Sequence, residues 1–330
     1  MNPSHENLFP PITPFREGLL ALDGSHQMHW QLSGNPDGDP VLWIHGGPGS
    51  SASPMHRRLF DPKRYLIIQY DQRGCGRSQP RGETRCNTTQ DLLADIEQLR
   101  LSLGIARWHV AGGSWGGSLA LLYAQLHPAV IGRMLLRSPF LCSDREIDAY
   151  VNSPVPACKE VWTQLREQCN QEGSADILAH SHRIFSAPLE ETARSADRLR
   201  LARAWAAYEA AMDGYPAAHR VCSTPTTSTT PTPPSSSDEQ ALIARYRVHL
   251  HYLWHRCFVE RPILTRPERF NAIELTLVHG EQDALCPFDN SLTIKRLVPH
   301  ARLVAVPGAG HNAFGEGMVR SVVDQIQRWT

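Results

Sequence analysis

The apolar positions of this chain fall into two patterns. Continuous or nearly continuous apolar runs at Val41-Leu42-Trp43-Ile44, Tyr65-Leu66-Ile67-Ile68-Gln69-Tyr70, Trp108-His109-Val110-Ala111, Met134-Leu135-Leu136-Arg137, Leu275-Thr276-Leu277-Val278 and Leu303-Val304-Ala305-Val306 read as strands covered on both faces. The region around Gly18 to Leu32 and the run Asp39 to Ile44 supply the opening strands. In between, the spacing turns helical. Asn87-Thr88-Thr89-Gln90-Asp91 is a helix start, and Leu92, Leu93, Ile96, Leu99 and Leu103 follow on one face. Ser118 to Leu126 is a second helix, stopped by His127-Pro128. Strands alternating with helices predict a mostly parallel α/β sheet.

From about Cys142 to Pro267 that alternation breaks. Helix-length segments such as Ala157–Cys169 and Asp197–Met212 dominate, and strand-like runs disappear. The expected organisation is a core of residues 1–141 and 268–330 with a helical cap, 142–267, inserted into it. Inside the cap, residues 223–237 are almost entirely Ser, Thr and Pro; with no large apolar side chain to bury, they predict a mobile surface loop.

Composition narrows the partners more than the fold. At 330 residues the chain buries a substantial core, and its 33 basic and 33 acidic residues balance. Nucleic-acid and anionic-membrane binders carry a basic excess, so neither partner is expected. The polar start Met1-Asn2-Pro3-Ser4-His5-Glu6-Asn7 lacks the regions of a signal peptide, and no apolar run approaches membrane-spanning length, which predicts a soluble cytoplasmic protein. Eight cysteines without a C-x-x-C pair read as reduced thiols rather than a disulfide frame or zinc site.

The chemistry centres on Gly112-Gly113-Ser114-Trp115-Gly116, set between the Trp108 strand and a small-residue, leucine-rich helix. A serine at a tight strand-to-helix turn exposes its hydroxyl beside the positive end of a helix, and flanking glycines leave room for the backbone. A phosphate-binding loop would need Lys after its last glycine, but Ser118-Leu119 follows Gly117. His45-Gly46-Gly47-Pro48-Gly49, straight after a buried strand, can aim a backbone N–H at the same oxyanion as Trp115, so Gly47 and Trp115 are the oxyanion-hole candidates. Asp283 and His311 each follow a late strand, completing the order Ser…Asp…His. Ser114 would attack a carbonyl, His311 would take its proton, and Asp283 would hold the imidazole's tautomer. Acyl transfer to water of this kind needs no metal or organic cofactor. The loop Asp71-Gln72-Arg73-Gly74-Cys75-Gly76-Arg77-Ser78 reads as a brace for neighbouring loops through Asp and Arg hydrogen bonds.

These pieces together resemble one family. Ser33-Gly34-Asn35-Pro36, His45-Gly46-Gly47-Pro48-Gly49, Phe60-Asp61-Pro62, the Asp71–Ser78 loop, Asn87-Thr88-Thr89, Ala94-Asp95-Ile96-Glu97, Gly112-Gly113-Ser114-Trp115-Gly116 and His279-Gly280-x-x-Asp283-x-x-Cys286 are similar to the prolyl iminopeptidases, α/β-hydrolases with a helical cap. The similarity covers nearly all of both core segments and thins across the cap. It implies removal of N-terminal proline from small peptides, with a proline pocket formed at Phe140, Tyr150 and Cys286 and a site-lining Arg137. The resemblance also implies a two-carboxylate clamp for the free amine. Ala204-Trp205-Ala206-Ala207-Tyr208-Glu209 supplies the first, Glu209; in Arg247-Val248-His249-Leu250-His251-Tyr252, His249 stands where the second glutamate belongs. A neutral imidazole accepts one hydrogen bond but offers no negative charge. Asp213 or another acid of the cap would have to compensate. Two rival readings therefore stand beside the exopeptidase: a capped esterase or amidase that has lost amine selection, and a non-catalytic binding protein of the same fold.

Overall fold

The structure is a computed structural model that describes residues 7–152, 156–170, 176–187, 195–213, 235–260 and 262–329. Eight strands, β1 (Arg16–Ala21), β2 (Gln27–Gly34), β3 (Asp39–Ile44), β4 (Tyr65–Tyr70), β5 (Trp108–Gly113), β6 (Ile131–Arg137), β7 (Glu274–Gly280) and β8 (Arg302–Val306), form one sheet in the order β1-β2-β4-β3-β5-β6-β7-β8. The first pairings, β1 with β2 and β2 with β4, are antiparallel. All the others are parallel. The opening region expected around Gly18 to Leu32 is thus a hairpin of two strands rather than one continuous run.

The buried strands show why continuous apolar runs were needed. Along β3, Val41 and Trp43 face one core layer while Leu42 and Ile44 face the other, and β6 splits Leu135 from Met134 and Leu136 in the same way. On one face lie the helices α2 (Thr89–Ser102) and α3 (Trp115–Leu126); on the other, α10 (Glu316–Gln327) packs Met318, Val319, Val322 and Val323 against the sheet. The helix α2 begins where its start signal lies: Thr88 and Asp91 cap each other's backbone N–H groups. Short helices α1 (Pro54–Arg57) and α9 (Asp289–Leu297) complete the outer layers.

Between β6 and β7 the regular elements among the described residues are helical: α4 (Asp144–Asn152), α5 (Lys159–Asn170), α6 (Ile177–Ser186), α7 (Ser195–Asp213) and α8 (Ser236–Trp254), with short 3-10 turns. The longest, α7 and α8, pack on each other and on α5 and α6 respectively. Much of the Ser/Thr/Pro-rich stretch, 223–234, lies outside the described residues. Its last three residues are not loop: Ser235 caps α8 through a reciprocal pair with Asp238, and Ser236 and Ser237 are helical. A serine three positions before an acid favours a helix start over the disorder that composition alone implies. Among the described residues no helix is long and apolar enough to cross a membrane.

Candidate active site

Ser114 sits at the junction of β5 and α3 with φ 56° and ψ −127°, a conformation that costs a non-glycine residue energy. Neighbouring backbone holds it there. Its N–H donates to the Arg137 carbonyl at 3.0 Å, and its carbonyl accepts from the N–H of Gly117 at 2.9 Å and of Phe140 at 3.4 Å. The paired glycines are a matter of space: a Cβ on Gly116 would run into the Ile44 carbonyl, and one on Gly112 would lie 2.7 Å from the Gly116 oxygen.

Asp283, in the loop after β7, and His311, in the loop after β8, meet directly. His311 Nδ1–H donates to Asp283 Oδ2 at 2.8 Å, since a carboxylate only accepts; the lone pair is then on Nε2. The other oxygen, Oδ1, accepts from the N–H groups of Cys286 at 2.8 Å and Leu285 at 3.0 Å. Burial pushes the Asp283 carboxyl up, but the neighbouring His311 and His279 imidazoles and the hydrogen bonds from His311 and Cys286 outweigh it and hold the group well below the usual carboxylate range. Behind it, His279 donates from Nε2 to the Cys286 carbonyl at 2.8 Å and meets Ser291 Oγ at 2.7 Å through Nδ1.

Ser114 Oγ lies 3.9 Å from Cys286 Sγ, and Cys286 in turn donates its backbone N–H to Asp283. No hydrogen bond joins Ser114 Oγ to His311 in this structure, and in unliganded enzymes such a bond commonly closes only with substrate. Burial, reinforced by Asp283, pushes the Cys286 thiol well up, leaving a neutral, apolar wall beside the serine. Phe140, half-buried and linked by its N–H to the Ser114 carbonyl, forms another part of the same surroundings.

Arg137 is buried beside the serine turn. At the end of β6 its Nη1 donates to the backbone carbonyl of His311 at 2.6 Å, so the guanidinium grips the loop that carries the imidazole. Burial lowers its pKa, while Asp283 and, more weakly, Asp213 pull it back up. Asp213 ends α7.

The His45–Gly49 loop is fastened to the serine turn by a single amide. Gln72 Nε2 donates to the His45 carbonyl at 2.8 Å, its backbone N–H donates to His45 Nε2 at 3.0 Å, and its Oε1 accepts from Trp115 Nε1–H at 3.0 Å. A Cβ on Gly46 would lie 3.3 Å from Ser114 Cβ, which measures how near the two loops run. Among the described residues the backbone N–H groups of Gly47 and Trp115 donate to no backbone carbonyl. The bracing role of the Asp71–Ser78 loop holds in detail: Asp71 accepts from Ala52 N–H at 2.7 Å and Arg77 Nε at 3.1 Å, and Arg73 grips Asp95 through two bonds of 2.6 and 2.7 Å.

On the helical side, Glu209 lies beside Tyr150 and His249, and its carboxylate is already matched. Arg245 Nη2 and the Tyr246 hydroxyl each donate to Oε2 at 2.8 Å, and the Tyr150 hydroxyl donates to Oε1 at 3.1 Å. His249 Nε2 lies 3.7 Å from Oε1 and 3.4 Å from the Tyr150 oxygen, while its Nδ1–H donates to the Pro48 carbonyl at 3.1 Å. The imidazole therefore bridges α8 to the loop beside Ser114. Tyr150 stacks on Trp205 at 5.7 Å, and burial together with Glu209 keeps its hydroxyl protonated.

Sequence reasoning missed Arg245 and Tyr246, Gln72 and His279. Gln72 and His279 stood in motifs already quoted, without these contacts, and Arg245 and Tyr246 lie one helical turn before His249. A cavity of about 230 Å³ lined by Asp148, Trp254 and Arg256, among others, contains none of the residues around Ser114.

Comparison with known proteins gives three consistent results. A family profile described as alpha/beta hydrolase fold matches residues 39–318. The chain is 36% identical over 316 residues, 93% of its own length and 94% of the relative's, to a proline iminopeptidase of Xylella fastidiosa (strain 9a5c). It is 35% identical to the proline iminopeptidase of Arabidopsis thaliana, over 96% of this chain and 80% of that one. Among solved structures, an esterase, RhEst1, from Rhodococcus sp. ECU1013 superposes with a TM-score of 0.59 at 17% identity, covering 97% of this chain and 98% of that one, a likeness of fold alone.

Proposed function

The chain belongs to the α/β-hydrolase fold family and, within it, to the proline iminopeptidases; on that premise we propose that it is a serine exopeptidase that releases N-terminal proline from small peptides through an acyl-enzyme on Ser114. The observation that carries the reading is the His311–Asp283 bond of 2.8 Å beside a serine held in a strained turn.

In this mechanism His311, with its Nδ1 proton committed to Asp283, accepts the Ser114 proton on Nε2 as Oγ attacks the prolyl carbonyl. The N–H groups of Trp115 and Gly47 take the developing oxyanion; losing one such donor typically costs about a hundredfold or more in rate. His311 returns the proton to the leaving amine, and water repeats the cycle on the ester. Asp283 stays ionised throughout, which its depressed pKa favours.

Substrate recognition rests on two groups of residues. Phe140 and Cys286 offer an apolar surface beside Ser114 suited to a pyrrolidine ring. The free amine meets Glu209 and, in place of a second carboxylate, the Nε2 lone pair of His249, fixed in that tautomer by the Pro48 carbonyl.

A second reading follows from Arg245. Because that guanidinium already pairs with Glu209, the clamp carries less net negative charge than two carboxylates would, which favours a capped esterase or amidase with relaxed amine selection. Rates on prolyl, alanyl and N-blocked prolyl amides and on simple esters separate the two. A strong preference for the free prolyl amide supports the exopeptidase; equal rates on blocked and free amides support the second. Ser114→Ala should abolish turnover in both while leaving the fold intact, and a fluorophosphonate probe should label only the unmutated serine. Failure to label folded protein would point to the third reading, a binding protein.

A further inference from the structure

We propose that His182, His251 and His255 form a transition-metal site where α6 meets α8, one that takes a first-row divalent ion of the Zn²⁺, Cu²⁺, Ni²⁺ or Co²⁺ class. One ring nitrogen of each lies within 4.8 Å of the other two. His251 is on α8, His255 follows that helix one turn later, and His182 comes from the neighbouring α6. Three imidazoles with no carboxylate or thiolate among them suit these ions and not the oxygen-seeking Mg²⁺ or Ca²⁺.

The surroundings of the three rings match what a metal ligand needs. His251 Nε2–H donates to the Asn87 carbonyl at 3.1 Å, which fixes the tautomer and leaves the lone pair on Nδ1. Outer partners of this kind orient metal-bound imidazoles in general. The other two rings are held by stacking: His182 lies on Trp254 at 4.7 Å and 10°, and His255 on Phe258 at 4.7 Å and 22°. A tetrahedral ion with bonds of about 2.1 Å needs nitrogens about 3.4 Å apart, so the rings must close by roughly an ångström. His255 is exposed and His182 half-buried, so each ring can slide over its stacking partner through that distance, and the fourth position goes to water. An ion there would pin α6 to α8 two residues beyond His249. The cluster has no part in the proposed hydrolysis, so its fate is separable from that reading.

The test uses the full-length protein freed of metal with a chelator. Titration with Co²⁺ should give the visible absorption of a tetrahedral or five-coordinate nitrogen site, displaced by Zn²⁺ at one ion per chain, and Zn²⁺ should raise the thermal midpoint. His182→Ala and His255→Gln should each weaken binding by about tenfold or more and abolish the thermal shift. Their folding is checked by circular dichroism and by unchanged metal-free turnover of a prolyl amide. Cys86→Ser, which removes an exposed thiol, should bind as the wild type does. Absence of the Co²⁺ band, equal affinity in the histidine variants, or loss of binding in Cys86→Ser would each overturn the site.

Discussion

Arg137 donates to the backbone carbonyl of His311 at 2.6 Å, and that bond ties the end of β6 to the loop after β8. The same strand end takes the Ser114 N–H on the Arg137 carbonyl, so one residue positions both the proposed nucleophile and the proposed base. Arg137→Met should therefore lower kcat by about ten- to a hundredfold with a smaller change in KM, because small misplacements of reacting groups carry large rate costs. Arg137→Lys should recover part of the loss. Steady-state kinetics on a prolyl amide decides it; an unchanged kcat would mean that the His311 loop holds itself.

Asp283 makes the acid limb of stability predictable. Its carboxyl titrates below its ordinary value of 3.8 in the folded protein, so it stabilises the fold fully above about pH 4 and loses that contribution as pH falls further. The gap in thermal midpoint between wild type and Asp283→Asn should be widest near pH 5 and shrink steadily toward about pH 2.5. A gap constant across that range would contradict the assigned shift.

Glu209 offers a test of amine recognition. Glu209→Gln should raise KM about tenfold or more for free-amine substrates, the loss expected of a charge-assisted hydrogen bond, while N-blocked substrates change little. Since the substitution also leaves Arg245 without its 2.8 Å partner, Glu209→Gln with Arg245→Met is the informative double variant. If both substrate classes suffer equally, Glu209 serves the packing of α7 on α8 and not the substrate.

Gln72 predicts a stability effect at a distance from any substrate. Gln72→Leu would strand the buried Trp115 Nε1–H and the His45 carbonyl, each costing about 1–3 kcal/mol when unsatisfied. Urea unfolding should show a loss of about 2 kcal/mol or more. The same variant should slow turnover, because the loop bearing Gly47 is then free to shift.

The strands and the serine turn were legible because each is a local matter. Val41 to Ile44 could only be a doubly covered strand, and the glycines around Ser114 mark backbone contacts that no other residue permits. Chain order after the serine turn singled out Asp283 and His311, two side chains that meet at 2.8 Å. What stayed hidden depends on which helix faces meet. Nothing in the order of residues says that Arg245 neutralises Glu209 across two helices, or that Arg137 turns its guanidinium toward a carbonyl 174 positions away. The surfaces of α7 and α8 are buried on several sides at once, so they carry no clean apolar stripe from which such pairings could be read. The start of α8 was hidden for another reason: a serine tract reads as disorder until Asp238 is noticed as its capping partner.

Gly49 stands at φ +87°, and a side chain there would collide with the carbonyl of Arg245 on α8. The His45–Gly49 loop as floor and α8 as roof thus touch main chain to main chain, with no cushion between them. A foreign roof grafted onto this floor would seat only if it brought an equally bare stretch of helix to that point. Changes in what the enzyme accepts come more readily by altering side chains within the existing roof, because exchanging the whole piece disturbs that contact.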